Sequence, residues 1–287
     1  CGSEGEHDMQ VDRIGDVTML RDKAEIPGLG VLPINAFVLH AEQPMLIDTG
    51  MPVSRPDFLA ALSSVIDIAD LRWVWLSHPD RDHMGSLFDV LAAAPQARLV
   101  TTFAAVGYLG TEFEVPLPRV FLLNPGQALD LGDRRLHAFR PPLFDSPMTV
   151  GFFDDSTGVC FSSDCFGGPM PTLDDAAVGD LGELDPQTVR GAQLLWVGVD
   201  SPWVCTADPV KFAASFGQIR SFQPQQLFSS HLPPLANCLS PMLDFLAVAP
   251  SATEFVGPDQ AALEAILGMG PAVQVPEQSA AGSPSTV

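Results

Sequence analysis

Short apolar runs alternate along the chain with longer segments in which apolar residues recur every three or four positions. Residues 36–39 and 45–47 are apolar runs on either side of a polar turn at 41–44, which predicts a β-hairpin. Residues 56–68 carry apolar side chains at helical spacing and predict a helix. The run at 73–76 then predicts a buried strand. This alternation of strands and helices is typical of a layered α/β fold.

The second half of the chain repeats this pattern. Residues 149–153 and 159–162 flank a polar turn that contains Gly158, which predicts a second hairpin. The apolar run at 194–198 predicts another strand, and the amphipathic segment 209–221 predicts a helix. We see no internal repeat other than this recurrence of strands and helices in the two halves.

The length of 287 residues fits one α/β domain of roughly 200–250 residues with tails. Residues 1–8 are polar and without periodicity, and we expect a disordered lead there. Residues 271–287 are rich in Pro, Ser, Ala and Gly, and we expect a flexible tail. The predicted domain therefore covers residues 9–270. Hydrophobic residues make up 46% of the chain, which is enough for a large core.

Charge and cysteine usage limit the classes of partner and compartment. The net charge of −21 would repel a phosphate backbone or an anionic lipid surface, so neither nucleic acid nor a membrane is expected as a partner. No apolar run approaches the ~20 residues that a membrane-spanning helix needs. The five cysteines show no C-x-x-C spacing, which favours reduced thiols in a cytoplasmic protein.

One loop concentrates residues that bind metals. His78, Asp80, Asp82 and His83 fall within six residues directly after the predicted strand at 73–76. Imidazole and carboxylate groups together suit zinc, iron or manganese. The alternative is a solvated charged turn, but two of the six histidines of the chain stand in this loop with two acids, which favours the metal site.

The spacing His78-x-Asp80-x-Asp82-His83 resembles the H-x-H-x-D-H signature of the metallo-β-lactamase superfamily. Asp80 departs from the hydrolases of that superfamily and is similar to its flavodiiron branch, which has Glu at this point. Four further segments resemble superfamily elements in the same order along the chain: 35–37, 48–50, 161–167 and 228–231. The resemblance implies a four-layer αββα fold, with two mixed β-sheets sandwiched between helices.

The same resemblance implies a set of ligands for two metal ions. The segment Asp145-Ser146-Pro147 is similar to the His-Thr-Pro of the hydrolases, with Asp145 in place of the histidine. Asp145 is therefore an expected ligand; alternatively it caps a turn before Pro147 and the site lacks this ligand. One metal is expected at His78, Asp80 and Asp145, a second at Asp82, His83 and His231, and Asp164 is expected between them.

Two classes of function are open from the sequence. The first is a flavodiiron-like diiron oxidoreductase or O2/NO-binding protein, which would form a homodimer. The stretch after His231 is too short for the flavodoxin-like domain of that family, so an outside electron donor is expected. The second is a hydrolase of an ester, lactone or phosphoester, in which Asp82 would both bind metal and orient a hydroxide.

The carboxylates favour the first class. Four of them balance two divalent ions, and such an oxygen-rich site favours iron, with manganese and zinc as alternatives. A degenerate binding protein with a partial site is a third interpretation, and it gains if Asp145 is not a ligand.

Overall fold

The computed structural model describes residues 9–236 and 239–268. The chain divides into two compact units, residues 1–255 and 256–287. The lead expected at 1–8, the tail expected at 271–287 and the domain boundary expected at residue 270 lie outside the described residues and stay predictions.

The first sheet has seven strands in the order of the sequence. They are β1 Gln10–Ile14, β2 Val17–Ile26, β3 Gly30–Leu39, β4 Met45–Ile47, β5 Trp73–Trp75, β6 Arg98–Thr101 and β7 Val120–Leu122. Strands β1 to β4 pair antiparallel, and β4 to β7 pair parallel. The predicted hairpin of residues 36–47 is confirmed as the antiparallel pair β3–β4.

The second sheet has six strands, in the order β13-β12-β11-β10-β9-β8. They are β8 Ala128–Asp130, β9 Arg135–Phe139, β10 Gly151–Asp154, β11 Val159–Phe161, β12 Gln226–Phe228 and β13 Leu235–Ala236. In the described part of this sheet β11 and β12 pair parallel and the other neighbours pair antiparallel, so the sheet is mixed like the first. The predicted hairpin around Gly158 is confirmed as the antiparallel pair β10–β11.

Helices cover the outer faces of both sheets. Those of the first unit are α1 Arg55–Val65, α2 Arg81–Met84, α3 Leu87–Ala93, α4 Phe103–Leu109, α5 Leu173–Ala177, α6 Pro186–Asp200, α7 Pro209–Ser215, α8 Gly217–Phe222 and α9 Leu239–Ala247. A further helix, α10 Gln260–Ile266, belongs to the second unit. Short 3-10 helices lie at Ile68–Asp70, Leu117–Arg119, Leu181–Glu183, Pro202–Thr206 and Ala249–Ser251. Among the described residues, no helix combines the length and apolar character needed to cross a membrane.

The core has three parts that match these layers. Aromatic residues from both sheets, including Phe37, Trp75, Phe152 and Phe161, pack between the sheets. A second cluster joins α1 and α3 to the first sheet, and a third joins α6 to α9 to the second sheet. The architecture is therefore the expected four-layer αββα arrangement.

The strand predicted at 194–198 is wrong, because these residues lie inside α6. Pro186 occupies the first turn of this helix, where its missing N–H costs nothing, and Val189, Ala192 and Val197 are buried on one face. A five-residue apolar run fits a buried strand or one side of a helix equally well. The helix predicted at 209–221 is confirmed as two successive helices, α7 and α8.

The site loops follow the ends of four inner strands. Asp48, His78, Asp164 and His231 lie one to three residues after β4, β5, β11 and β12 respectively. Backbone hydrogen bonds join the two sheets at this edge: Val150 N donates to Ser77 O over 3.0 Å. Loops that leave buried, hydrogen-bonded strands have little freedom, which suits a rigid binding site.

Candidate metal centre

A single helical turn arranges the first group of candidate ligands. Asp80 immediately precedes α2, and its carbonyl accepts a hydrogen bond from His83 N over 3.1 Å. This turn places Asp82 and His83 on the same side as His78. Gly85 closes the turn, and a Cβ at this position would lie 2.3 Å from the carbonyl carbon of Met51. Only glycine lets the loop pass so close to the backbone after β4.

Asp164 lies at the middle of the site, with a side chain only 4% exposed. Its Oδ2 is 3.2 Å from Nε2 of His78. Its Oδ1 is 3.2 Å from Nε2 of His83 and 3.4 Å from Nε2 of His231. The two carboxylate oxygens therefore face two different sets of groups, which is the placement expected of a ligand that bridges two ions.

The remaining acids divide between the same two sides. On the His78 side, Asp145 Oδ2 is 3.6 Å and Asp80 Oδ2 is 4.0 Å from the imidazole Nε2. On the other side, Asp82 lies 3.6 Å from Nε2 of His83 and 3.5 Å from Nε2 of the third histidine. The structure thus brings all seven sequence-predicted residues together: His78, Asp80, Asp82, His83, Asp145, Asp164 and His231.

Hydrogen bonds to Nδ1 orient the first two imidazoles. The hydroxyl of Ser77 donates to Asp48 Oδ2 over 2.8 Å, so its oxygen accepts from Nδ1 of His78 over 3.1 Å. Nδ1 of His83 donates to the same carboxylate oxygen of Asp48 over 2.9 Å. These acceptors favour the neutral tautomer with the proton on Nδ1 in both rings, which leaves the Nε2 lone pair directed to the site.

The third imidazole is held by the backbone. Nδ1 of His231 donates to the carbonyl of Pro33 over 2.8 Å, which again leaves Nε2 as a lone pair. Asn35 fixes the loop around this histidine, because its amide donates to the carbonyls of Ser229 and Leu232 over 3.0 and 2.8 Å. The motif at 35–37 therefore contributes to the site by positioning His231.

Two non-glycine residues at the site have a left-handed backbone. Asp48 has φ of 55° and Ser163 has φ of 53°. Such residues cost of order 1–3 kcal/mol and persist where their surroundings hold them. Asp48 accepts from Ser77, and the carbonyl of Ser163 accepts from Ser230 N over 2.9 Å. Backbone strain is thus retained at Asp48, which orients His83, and at Ser163, which directly precedes Asp164.

Burial and charge shift the ionisation of these groups in opposite directions. Burial raises the pKa of Asp80. Burial also opposes ionisation of Asp164, but His78, His83 and His231 outweigh it and hold its pKa far below the usual range. In the same way burial would lower the pKa of His83, but the surrounding carboxylates raise it well above its usual value. The site therefore favours a positive charge between its imidazoles and carboxylates.

The donor atoms fit metal ions. Nε2 of His78 and Oδ1 of Asp164 are buried without a hydrogen-bond partner. Three imidazole lone pairs and a carboxylate meet at 3.2 to 3.4 Å, where only a proton or a cation between them relieves repulsion. Imidazole nitrogen with carboxylate oxygen is a donor set for first-row divalent metals.

The histidines form the floor of the site and two of the acids form its mouth. The imidazole side chains are 1–3% exposed, whereas Asp80 is 51% and Asp82 is 28% exposed. A small molecule would therefore reach the centre on the carboxylate side. Trp196 on α6 lies beside the floor, with its ring centroid 5.8 Å from that of His231 and a buried indole N–H that lacks a partner.

Sequence reasoning missed two acids at this site. Asp48 was noted only as part of a turn motif, whereas its carboxylate orients His83. Asp200, the last residue of α6, lies with Asp145 and Asp164 so that one oxygen of each falls within 4.8 Å of the others. No signal in the sequence marks Asp200, because the surrounding segment carries no ligand spacing.

Comparison with known proteins identifies the family. Residues 29–198, more than half of the chain, match the Lactamase_B model of the metallo-beta-lactamase superfamily. The chain belongs to this superfamily. Curated relatives within the superfamily are flavodiiron proteins. An anaerobic nitric oxide reductase flavorubredoxin from Salmonella typhi is 28% identical over 134 residues, 46% of this chain and 28% of the relative.

A putative diflavin flavoprotein A 1 from Thermosynechococcus vestitus is 31% identical over 134 residues, covering 46% of this chain and 23% of the relative. The chain thus matches only about a quarter of the length of these relatives. Among solved structures, rubredoxin oxygen:oxidoreductase from Desulfovibrio gigas is similar in fold, with 17% sequence identity and a TM-score of 0.71. The match covers 84% of the present chain and 61% of the Desulfovibrio chain. The match to the Flv1 flavodiiron core from Synechocystis covers 85% of the present chain and 61% of the Flv1 chain, with 21% identity and a TM-score of 0.69.

Proposed function

We propose that this chain holds two metal ions, iron by preference, and acts as a flavodiiron-like diiron oxidoreductase or O2/NO-binding protein. The observation that carries the proposal is the division of the seven residues about Asp164. His78, Asp80 and Asp145 would hold one ion, and Asp164 would bridge to the ion at the other three residues, Asp82, His83 and His231.

The charge of the ligand set supports iron. Four carboxylates bring four negative charges to two divalent ions, and hard oxygen donors favour iron or manganese over zinc. The same negative charge stabilises the oxidised form of a redox metal more than the reduced form. The acid at Asp80 and the acid at Asp145 replace imidazoles of the hydrolase pattern, which lowers the affinity expected for zinc.

The surroundings support a small, uncharged ligand. The approach to the centre passes the exposed Asp80 and the partly buried Asp82. Because the ions they hold would balance the charge of both acids, the entrance suits an uncharged gas such as O2 or NO. The names of the relatives, a nitric oxide reductase and an oxygen:oxidoreductase, point to the same two molecules. Bound iron would contribute its redox chemistry, and the residues of this chain would hold the metals and admit the gas.

Electrons would then come from an external donor, and we infer a homodimer as the form that accepts them. The three described cysteines, Cys160, Cys165 and Cys205, are free thiols, which favours a reducing compartment such as the cytoplasm. Size-exclusion chromatography with light scattering measures the oligomeric state directly. A monomer at micromolar concentration contradicts the dimer and leaves the metal centre unaffected.

Metal content tests the proposal. The protein is expressed with iron, manganese and zinc supplied together, purified without oxygen and measured by mass spectrometry. We expect close to two irons per chain, and consumption of O2 or NO with a chemical reductant. Asp164→Asn is expected to lose metal, whereas Asp154→Asn, a change at another buried aspartate, retains it. Two zinc ions with turnover of esters or lactones would instead indicate a hydrolase.

A further inference from the structure

Asp200 is a carboxylate at the centre that the seven-residue set leaves out. It is the last residue of α6, and one of its oxygens lies within 4.8 Å of ligand atoms of both Asp145 and Asp164. Its Oδ2 accepts a hydrogen bond from Ser201 Oγ over 3.1 Å. The carboxylate of Asp200 thus lies beside two of the proposed ligands, Asp145 and the bridging Asp164.

Two contacts dock α6 onto the loop that carries Asp164. A Cβ at Gly168 would lie 2.6 Å from the carbonyl carbon of Ala192, so glycine at this position lets the helix backbone approach the loop. The amide of Gln193 donates to the carbonyl of Phe166 over 2.9 Å. Because a close backbone approach and a hydrogen bond from the Gln193 side chain to the loop backbone hold α6 in place, the helix has a defined position relative to Asp164.

A third contact ties the end of α6 to the loop that carries Asp145. The indole N–H of Trp203 donates to the carbonyl of Phe144 over 2.7 Å, and the two rings pack with centroids 5.0 Å apart. Trp203 lies three residues after Asp200, and Phe144 directly precedes Asp145. The proximity of the two carboxylates is therefore built into the packing.

This position is unfavourable for a carboxylate by itself. Asp200 stands at the C-terminal end of a 15-residue helix, where the helix dipole repels negative charge. Two more carboxylates, Asp145 and Asp164, are close. Within the described part of the chain no Lys, Arg or His forms an ion pair with Asp200. Three carboxyl groups held together in this way need a proton or a metal cation between them.

A second observation indicates where that cation would be. Nε2 of His78 is buried, lacks a hydrogen-bond partner and lies 3.6 Å from Asp145 and 3.2 Å from Asp164. An imidazole lone pair thus points toward two of the three carboxylates, Asp145 and Asp164, and Asp200 lies beside the same two. One nitrogen with several hard oxygens is a donor set that Fe2+ and Mn2+ accept more readily than Zn2+.

We propose that Asp200 is a further ligand of the metal ion held by His78, Asp80 and Asp145. The inference rests on the proposed dinuclear centre, and it gives the two metal ions different sets of ligands. With Asp164, one ion has one imidazole and four carboxylates, and the other has two imidazoles and two carboxylates. The first half is then selective for a hard divalent cation, and the second half has the softer set that also accepts zinc.

The test compares Asp200→Asn with two other variants of the full chain. Asp200→Glu keeps a carboxylate, and Asp244→Asn removes the same charge from an exposed position on α9. Chelator-stripped proteins are titrated with Co2+, and the visible spectrum and stoichiometry are recorded. In Asp200→Asn we expect one of the two ions to bind at least roughly tenfold more weakly, with more intense cobalt bands because that ion loses a ligand.

Thermal unfolding of the stripped proteins is the second readout. Loss of the isolated carboxylate is expected to raise the Tm of Asp200→Asn by about 2–4 °C, although the same change weakens metal binding. If Asp200 had a purely structural role, its replacement would lower both the Tm and the metal affinity. Asp200→Glu is expected to regain the cobalt spectrum in part, and Asp244→Asn is expected to match the wild type in both measurements.

The outcomes separate this inference from the proposed centre. Wild-type protein that binds fewer than two ions overturns the dinuclear centre, and this inference with it. Wild-type protein that binds two ions, together with Asp200→Asn of unchanged affinity and spectrum, overturns only the role of Asp200. If Asp200→Asn does not fold, Asp200→Glu carries the test, because a ligand with one more methylene shifts the cobalt spectrum and a non-ligand leaves it unchanged.

Discussion

Replacement of Asp48 by asparagine tests how the structure prepares the metal site. Oδ1 of Asp48 accepts from Ser77 N over 2.8 Å, and Oδ2 accepts from the Ser77 hydroxyl and from Nδ1 of His83. Asparagine keeps the first bond and tolerates the left-handed backbone at this position. Its amide would then donate toward His83, so the imidazole proton moves to Nε2, where the metal has to bind.

The magnitude follows from the role of such partners. Loss of the carboxylate that orients a metal-binding histidine costs about 10–100-fold in metal affinity, or about 1.4–2.7 kcal/mol. The largest loss is expected at the ion held by His83, whose imidazole contacted the lost carboxylate directly. The ion at His78 should be weakened as well, because the Ser77 hydroxyl loses its acceptor at Asp48 Oδ2 and can then donate to Nδ1 of His78.

Competition of Mn2+ against a fluorescent chelator measures both affinities in the same titration. Asp154→Asn is the matched control, since this aspartate is fully buried and accepts from Ser156 N and the Thr157 hydroxyl, away from the candidate ligands. It is expected to lose stability but not metal. An Asp48→Asn protein that is folded and binds both ions with wild-type affinity would refute the reasoning about the tautomer of His83.

Three further results are expected. Asp145→His restores the imidazole of the hydrolase pattern and should shift the metal taken up from a mixture of iron, manganese and zinc toward zinc, as measured by mass spectrometry. Gly168→Ala should destabilise the protein by about 1–3 kcal/mol in urea unfolding, because the new methyl group meets Ala192 at 2.6 Å. Burial, then Asp164 and Asp145, raise the pKa of Asp200 from 3.8 to about 8. Between pH 3.8 and about 8 the folded state of the chelator-stripped protein therefore binds more protons than the unfolded state. Its free energy of unfolding should fall as the pH rises through this range, and should fall less steeply in Asp200→Asn.

The local part of the candidate site could be predicted from the sequence. His78, Asp80, Asp82 and His83 stand within six residues, so one turn after a strand is enough to bring them together. Asp145 could be identified only by resemblance, since nothing in its own neighbourhood distinguishes a ligand from a turn cap. Its distance of 3.6 Å from His78 is a property of the folded chain.

The helix α6 shows where sequence reasoning failed. The apolar run at 194–198 fits two kinds of element, and its surroundings in the fold made it a helix. The prediction of a strand there also removed any reason to consider Asp200. An acid at a helix end reaches a site only through packing, here through Gly168 and the contact of Trp203 with Phe144.

The sequence by itself therefore determined a layered α/β fold, through the alternation of short apolar runs and amphipathic segments, and the cluster of ligands in the loop after β5. Both depend on residues that are close along the chain, where periodicity and spacing carry the information. Only the tertiary structure decided which oxygen of Asp164 faces which histidine, how Asp48 orients His83, and that Asp200 reaches the centre. These relations join residues that are distant in sequence, and their distances depend on how the two sheets and α6 pack.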